Sequence, residues 1–202
     1  MAQEIRVAIG IDEHGNEYSL PLTKGHCLIG GMTGSGKSTL LHRMITTLIE
    51  NYRDSDLAIY IADPKIVEFG RYSRAPQVRK IAKSVEEIVQ MLEKIELMMM
   101  TRYSIMECSV SGNWLPVDSA YCKDIINKAE DGEREIRFPN IVVFMDEFGS
   151  VVLDKQYGKR ITEHLVRISQ LGRAAGITLV LATQHPTVRV VDVRIKVNCG
   201  IR

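Results

Sequence analysis

The sequence predicts an α/β fold, a mostly parallel β-sheet with helices on both faces and a small β-hairpin at the N-terminal end. Three observations carry this. Strand and helix candidates alternate from residue 26 onward. The central strand candidates, 57–62, 141–145 and 177–182, are almost wholly apolar, as strands covered on both faces must be. Between them, apolar residues recur at the three- and four-residue spacing of a helix. Composition agrees. The chain has 202 residues, 45% of them hydrophobic and 25% charged, and a net charge of 26 − 25 = +1. That excludes a disordered tail, a collagen-like rod and a disulfide mini-protein, and suits one domain over 1–202. Near-neutral charge gives no global pull toward nucleic acid, so such a site must be a local patch or one built by assembling subunits.

The elements follow in order. Arg6 to Ile11 is short and β-branched, and the polar run Asp12-Glu13-His14-Gly15-Asn16-Glu17 returns it through Tyr18-Ser19-Leu20, which predicts a hairpin within 1–24. His26 to Ile29 is a compact strand. A Gly-rich stretch follows, and from Lys37 the stripe Leu40, Leu41, Met44, Ile45, Leu48 and Ile49 predicts a helix. The strand 57–62 is stopped by Asp63-Pro64. Ser84 with Glu87 three residues on reads as a capping box, opening a helix whose stripe is Ile88, Met91, Leu92, Ile95 and Met98/Met99. Met98-Met99-Met100 and Met106 read as core filler. Residues from about 105 or 108 to 138 read as a surface insertion holding Trp114 and one short helix near Ser119–Ala129. Strand 141–145 ends in Asp146-Glu147. A helix over 159–171 presents Ile161, Leu165 and Ile168, and Gly172-Arg173-Ala174-Ala175-Gly176 leads into the last strand.

The four cysteines, at 27, 108, 122 and 199, form no CxxC and no metal-ligand spacing, and read as reduced thiols. The start lacks a basic region followed by an apolar one, and no apolar run could span a bilayer. These features predict a cytoplasmic chain, with any membrane anchor lying outside it.

Gly31-Met32-Thr33-Gly34-Ser35-Gly36-Lys37-Ser38 matches the P-loop pattern G-x-x-x-x-G-K-[ST] in full. Main-chain N–H groups can curl around a phosphate where no Cβ obstructs them, and the helix that follows points its positive end there. Gly31, Thr33, Gly34, Ser35, Gly36, Lys37, Ser38 and Thr39 are the candidate nucleotide-binding residues. Lys37 would reach the β- and γ-phosphates of ATP and Ser38 would ligate Mg²⁺. The alternative is a Gly-rich turn that merely caps a helix. Asp146, at the end of an apolar strand, is a second candidate Mg²⁺ ligand. Glu147 beside it can polarise water as a general base, or the pair simply ends a strand. The Asp-Glu pair, with no Asn-Lys-x-Asp guanine-reading motif, favours an ATPase over a small GTPase. Gln184, just past the strand 177–182, is a candidate γ-phosphate sensor or a plain polar strand end. Arg173, flanked by small residues, is either a solvated loop arginine or an arginine finger inserted into an adjacent subunit's site. A finger contact can be worth about 10³–10⁵ in rate. These groups together would make a catalytic set of Lys37, Glu147, Arg173 and Gln184.

The P-loop, Asp63-Pro64-Lys65, Phe144-Met145-Asp146-Glu147-Phe148, and Arg173-Ala174-Ala175-Gly176 through Ala182-Thr183-Gln184-His185-Pro186 occur in that order. Together they resemble the motor domain of FtsK/SpoIIIE-type DNA translocases, from about Tyr18 to the last residue. The resemblance implies a RecA-like fold, a hexameric ring with ATP sites between subunits, and pumping of double-stranded DNA in chromosome segregation, sporulation or conjugation. Arg173 matches the trans-acting finger, and Lys196 and Asn198 fit the next family segment. His185 departs from the arginine usual at its position and takes no role from the family. The resemblance also implies that motor, DNA-reading and membrane segments lie outside this sequence. Pore-lining loops make Arg189, Arg194 and Lys196 candidate DNA phosphate contacts, with solvated surface cations as the alternative. Two other functions stay open: a type VII protein-secretion ATPase of the same family, and a nucleotide-dependent scaffold that does not hydrolyse.

Overall fold

Five strands pair in parallel in the order β3-β7-β6-β4-β5, where β3 is Cys27–Gly30, β4 Leu57–Ala62, β5 Val78–Ala82, β6 Asn140–Met145 and β7 Ile177–Thr183. A separate antiparallel hairpin joins β1 (Arg6–Ile11) to β2 (Glu17–Pro21). The computed structural model describes residues 4–32, 34–66, 68–111, 138–184, 187 and 190–201, with 108–111 described by their backbone alone. Trp114, Cys122, the short helix expected near Ser119–Ala129, Thr33, His185 and Arg189 lie outside the described residues.

The helices are α1 (Lys37–Asn51), α2 (Val85–Ser111), α3 (Phe148–Val152), α4 (Gly158–Leu171) and α5 (Val193–Asn198). They cover both faces of the sheet, and strand alternation shows how. Along β4, Ala58, Tyr60 and Ala62 face one core while Leu57, Ile59 and Ile61 face the other. Leu92 and Ile95 of α2 and Leu165 and Ile168 of α4 fill the first core. Leu41, Met44, Ile45 and Leu48 of α1, with Ile5 and Val7 of the hairpin region, fill the second.

Several elements depart from expectation, each for a local reason. β5 is not announced by the sequence, because Arg79 and Lys80 are exposed on an edge strand and break its apolar run. α2 continues through Ser111, so the residues up to 111 expected in the insertion are helical. The segment 187–196, expected as a loop, ends in α5. The Ser84 box forms: the Glu87 N–H bonds Ser84 Oγ at 3.1 Å, and the Glu87 carboxylate accepts the N–H of Lys83 at 2.7 Å. Of the methionine run, Met98 and Met99 are core and Met100 is 42% exposed. Ile201 makes a parallel bridge to Cys27 beside β3.

Candidate active site

Parallel strands place all their C-terminal ends on one edge, where open α/β sheets hold ligands. Four of those ends meet here. β3 runs into the P-loop, β4 into Asp63-Pro64-Lys65, β6 into Asp146-Glu147, and β7 into Gln184. β7 lies between the P-loop strand and the carboxylate strand, so Gln184 emerges beside both.

The P-loop enters α1 through Gly36, whose φ of 86° is left-handed and suits glycine. No side chain caps the start of α1 and no acidic residue lies in its first turn. Its first main-chain N–H groups are therefore left for an anion. Lys37 is buried, and its Nζ lies 2.9 Å from Glu147 Oε2 and 3.2 Å from Asp146 Oδ1. The lysine of the phosphate cradle is thus held by the two carboxylates predicted to act with it. Ser38 is half-buried one residue further on, and Thr39 is exposed.

Glu147 sits at φ 48°, ψ 43°, a left-handed conformation unusual for a non-glycine residue and typical of functional turns. Its Oε1 accepts the main-chain N–H of Gln184 at 3.2 Å and the Thr183 hydroxyl at 3.4 Å. Burial pushes its carboxyl up, but the Lys37 hydrogen bond, the Gln184 N–H and the charges of Lys37 and Lys65 outweigh that and hold it below the usual glutamate range. Glu147 is therefore ionised, as a base must be. Asp146 Oδ1 accepts the Glu147 N–H at 2.9 Å, while its Oδ2 is buried with no hydrogen-bond partner among the described residues. A buried carboxylate oxygen left bare at the end of this strand suits a hard cation or that cation's water, so the residues present fit Mg²⁺.

Three contributors took no site role from the sequence, although Asp63-Pro64-Lys65 stands there as a strand stop and a family motif. Asp63 is buried and its carboxylate accepts the N–H groups of Ile66, Glu68 and Phe69, which folds the loop after β4. That loop carries Lys65, whose Nζ comes within 3.9 Å of Glu147 Oε2. Asp-Pro after an apolar strand is the signal that could have pointed to the turn. Thr183 is buried and supplies its hydroxyl from β7.

The other predicted residues lie apart. Arg173 is exposed in the loop before β7, at the opposite edge of the sheet, and the seven residues of β7 separate it from the site by about 20 Å. It cannot serve the site of its own chain. Arg194 is on α5, where its guanidinium engages Asp192 at 2.7 and 3.0 Å. Lys196 is exposed on the same helix.

A parallel sheet with a P-loop after β3 and an acidic pair after β6, facing the loop's lysine, defines a P-loop ATPase domain. The chain belongs to the FtsK/SpoIIIE family, whose model matches residues 2–188. It is 32% identical over 201 residues to the DNA translocase FtsK of Staphylococcus aureus, covering 98% of this chain and 25% of that protein. It is 33% identical over 204 residues to the DNA translocase FtsK of Tropheryma whipplei, covering 100% of this chain and 27% of the other. The chain thus spans about a quarter of the length of the curated relatives it matches. Among solved structures, the pCW3 conjugation coupling protein TcpA in its monomer form with ATPgS superposes with a TM-score of 0.70 at 24% identity, over 98% of this chain and 53% of that one. The cytoplasmic domain of the type VII secretion ATPase EccC of Thermomonospora curvata superposes with a TM-score of 0.69 at 25% identity, over 96% of this chain and 23% of that one. Among the described residues, no helix is long and apolar enough to cross a membrane.

Proposed function

We propose that residues 1–202 form the ATPase domain of a motor that hydrolyses ATP to move double-stranded DNA on the cytoplasmic side of a bacterial cell. The observation that carries this is the convergence of Lys37, Asp146 and Glu147 at the mouth of the P-loop. The FtsK relatives named above support DNA as the cargo.

The chemistry follows from these positions. The triphosphate lies on the main-chain N–H groups at the start of α1, and Lys37 leaves the carboxylates for its β- and γ-oxygens. Ser38 and Asp146 would hold Mg²⁺, which when bound supplies further positive charge against the phosphates. Glu147, released from Lys37, orients a water and takes its proton as the water oxygen bonds to γ-phosphorus. The bridging bond between the β- and γ-phosphates breaks, leaving ADP and phosphate. Gln184, beside Glu147, is placed to register loss of the γ-phosphate. Arg173, too distant to act in its own chain, stabilises the transferring phosphoryl group at a neighbouring subunit's site in a hexameric ring. Arg189 and Lys196 are proposed DNA phosphate contacts. Arg194 joins them only after releasing Asp192.

ATP turnover of the full-length protein, measured with and without duplex DNA, tests this. Duplex DNA should stimulate hydrolysis, and Glu147→Gln should lower turnover about 10²–10⁴-fold while ATP still binds. Unstimulated hydrolysis would remove DNA as the cargo and favour the second reading, a protein-moving ATPase, which the likeness to EccC supports. ATP binding with no turnover in the parent protein, and so none for Glu147→Gln to lower, would leave a non-hydrolysing scaffold.

A further inference from the structure

We propose that Arg102, on α2, is a positioning residue for the Arg173 loop, fixing the angle at which that loop is offered to a neighbouring subunit. The proposal rests on the reading of Arg173 as a trans-acting finger.

Arg102 is fully buried, at 0% exposure. Burying a guanidinium is costly, and the geometry shows what it holds. Its Nη1 donates to the carbonyl of Ala175 at 2.6 Å and its Nη2 to the carbonyl of Pro139 at 2.8 Å. Its planar head lies over the Phe138 ring, 5.1 Å from the centroid. The next residue, Tyr103, donates its hydroxyl to the carbonyl of Leu171 at 2.7 Å. Adjacent side chains of α2 therefore clamp both ends of the segment 171–175, with Arg173 between them.

The loop is built to accept that clamp. The N–H of Gly176 closes a turn onto the Arg173 carbonyl at 3.1 Å, and the N–H of Ile177 closes onto the Gly172 carbonyl at 2.8 Å. Gly176 has φ +69°, and a Cβ there would come 3.4 Å from Arg102 Nη1. A short turn fixed from below, with its arginine exposed at the turn's first position, differs from an ordinary solvated loop. The Arg102 fork reaches two carbonyls at once, which a lysine ammonium on a flexible stem cannot reproduce. Because Arg102 sits at the sheet edge away from the P-loop, losing it damages the finger a subunit donates and spares the site it owns.

That asymmetry supplies the test. Full-length Arg102→Met should bind a fluorescent ATP analogue like the parent protein, while its ATP turnover in the assembled state falls about 10- to 100-fold, the effect of misplacing a catalytic group by about an ångström. Arg102→Lys keeps the charge and loses the fork, and should fall in the same direction by less. It stands in if the methionine variant does not fold. Mixing either variant with excess Glu147→Gln subunits, which are inactive themselves but carry an intact finger loop, should restore turnover at the Arg102-variant sites. It should do the same for Arg173→Ala. Rescue of Arg173→Ala without rescue of the Arg102 variants would overturn the positioning role, since the damage would then lie in their own sites. Undiminished turnover in Arg102→Lys and Arg102→Met would also overturn it. Undiminished turnover in Arg173→Ala would instead overturn the finger itself, and the positioning role with it.

Discussion

Glu147 has opposing influences on its charge, and nucleotide binding withdraws the Lys37 contribution while burial, the Gln184 N–H and Lys65 stay. In the resting protein Lys37 and the Gln184 N–H hold its carboxyl below the usual range against a burial effect that raises it. Once Lys37 turns to the phosphates, burial remains and the principal counterweight is gone, so the carboxyl shifts upward toward a pH where a base is effective. The acid limb of kcat/KM, which reports the free protein, should therefore lie at lower pH than the acid limb of kcat, which reports the bound state. Coincident limbs in the two pH–rate profiles would contradict this. Lys37→Met removes the cation from both carboxylates as well as from the phosphates. It should abolish binding of the ATP analogue rather than slow the chemical step. These three residues were legible in the sequence because a motif with fixed spacing and a strand-end acidic pair announce themselves. The approach of Lys65 to Glu147 was not, since it depends on the loop that Asp63 holds, and no spacing rule encodes a carboxylate that accepts the N–H groups of Ile66, Glu68 and Phe69.

At the scale of elements, the buried strands read well and the edges read poorly. The β4 limits match the apolar run 57–62, and β6 begins one residue before the run at 141. Where a strand is covered on both faces, hydrophobicity alone marks its ends. β5 is an edge strand, and its pairing with β4 shifts register between Ile59 and Tyr60, so its periodicity carries no clear signal. α5 is a six-residue helix held by Asp192, whose carboxylate accepts the Arg194 N–H at 2.9 Å, a cap too local to stand out. The join between β3 and β7 holds a titratable group that no local pattern marks. His26 is buried, and its Nδ1 accepts the N–H of Leu179 at 2.9 Å. Burial first, and then the charge of Arg173, lower its pKa from 6.5 to about 4. An unfolded chain takes up a proton near 6.5 while the folded chain resists until about 4, so the stabilisation is whole above 6.5 and is lost as pH falls between those values. By pH 5 the loss is about 2 kcal/mol. The urea midpoint should fall between pH 7 and pH 5, and His26→Asn, which keeps an acceptor for Leu179 and cannot ionise, should remove most of that fall. An equal fall in the variant would assign the acid sensitivity elsewhere.

On the scale of the whole molecule, the sheet has two working edges. The C-terminal edge gathers the P-loop, Lys65, the Asp146-Glu147 pair and Gln184. The N-terminal edge carries Arg173, about 20 Å away along β7. On the proposed reading of Arg173 as a trans-acting finger, each site is completed when another copy brings its N-terminal edge to the first copy's C-terminal one. Such head-to-tail contact is heterologous and closes into a ring if the rotation permits. Turnover per subunit should therefore rise with protein concentration across the assembly range and reach a plateau. Arg173→Ala should assemble over the same range with turnover lowered about 10³-fold or more, within the span known for arginine fingers. Steady-state ATPase and sedimentation on one dilution series of the full-length protein measure both. Constant specific activity down to dilutions at which sedimentation finds only single chains would mean that the cation comes from the same chain, and the two-edge arrangement would then have no catalytic meaning.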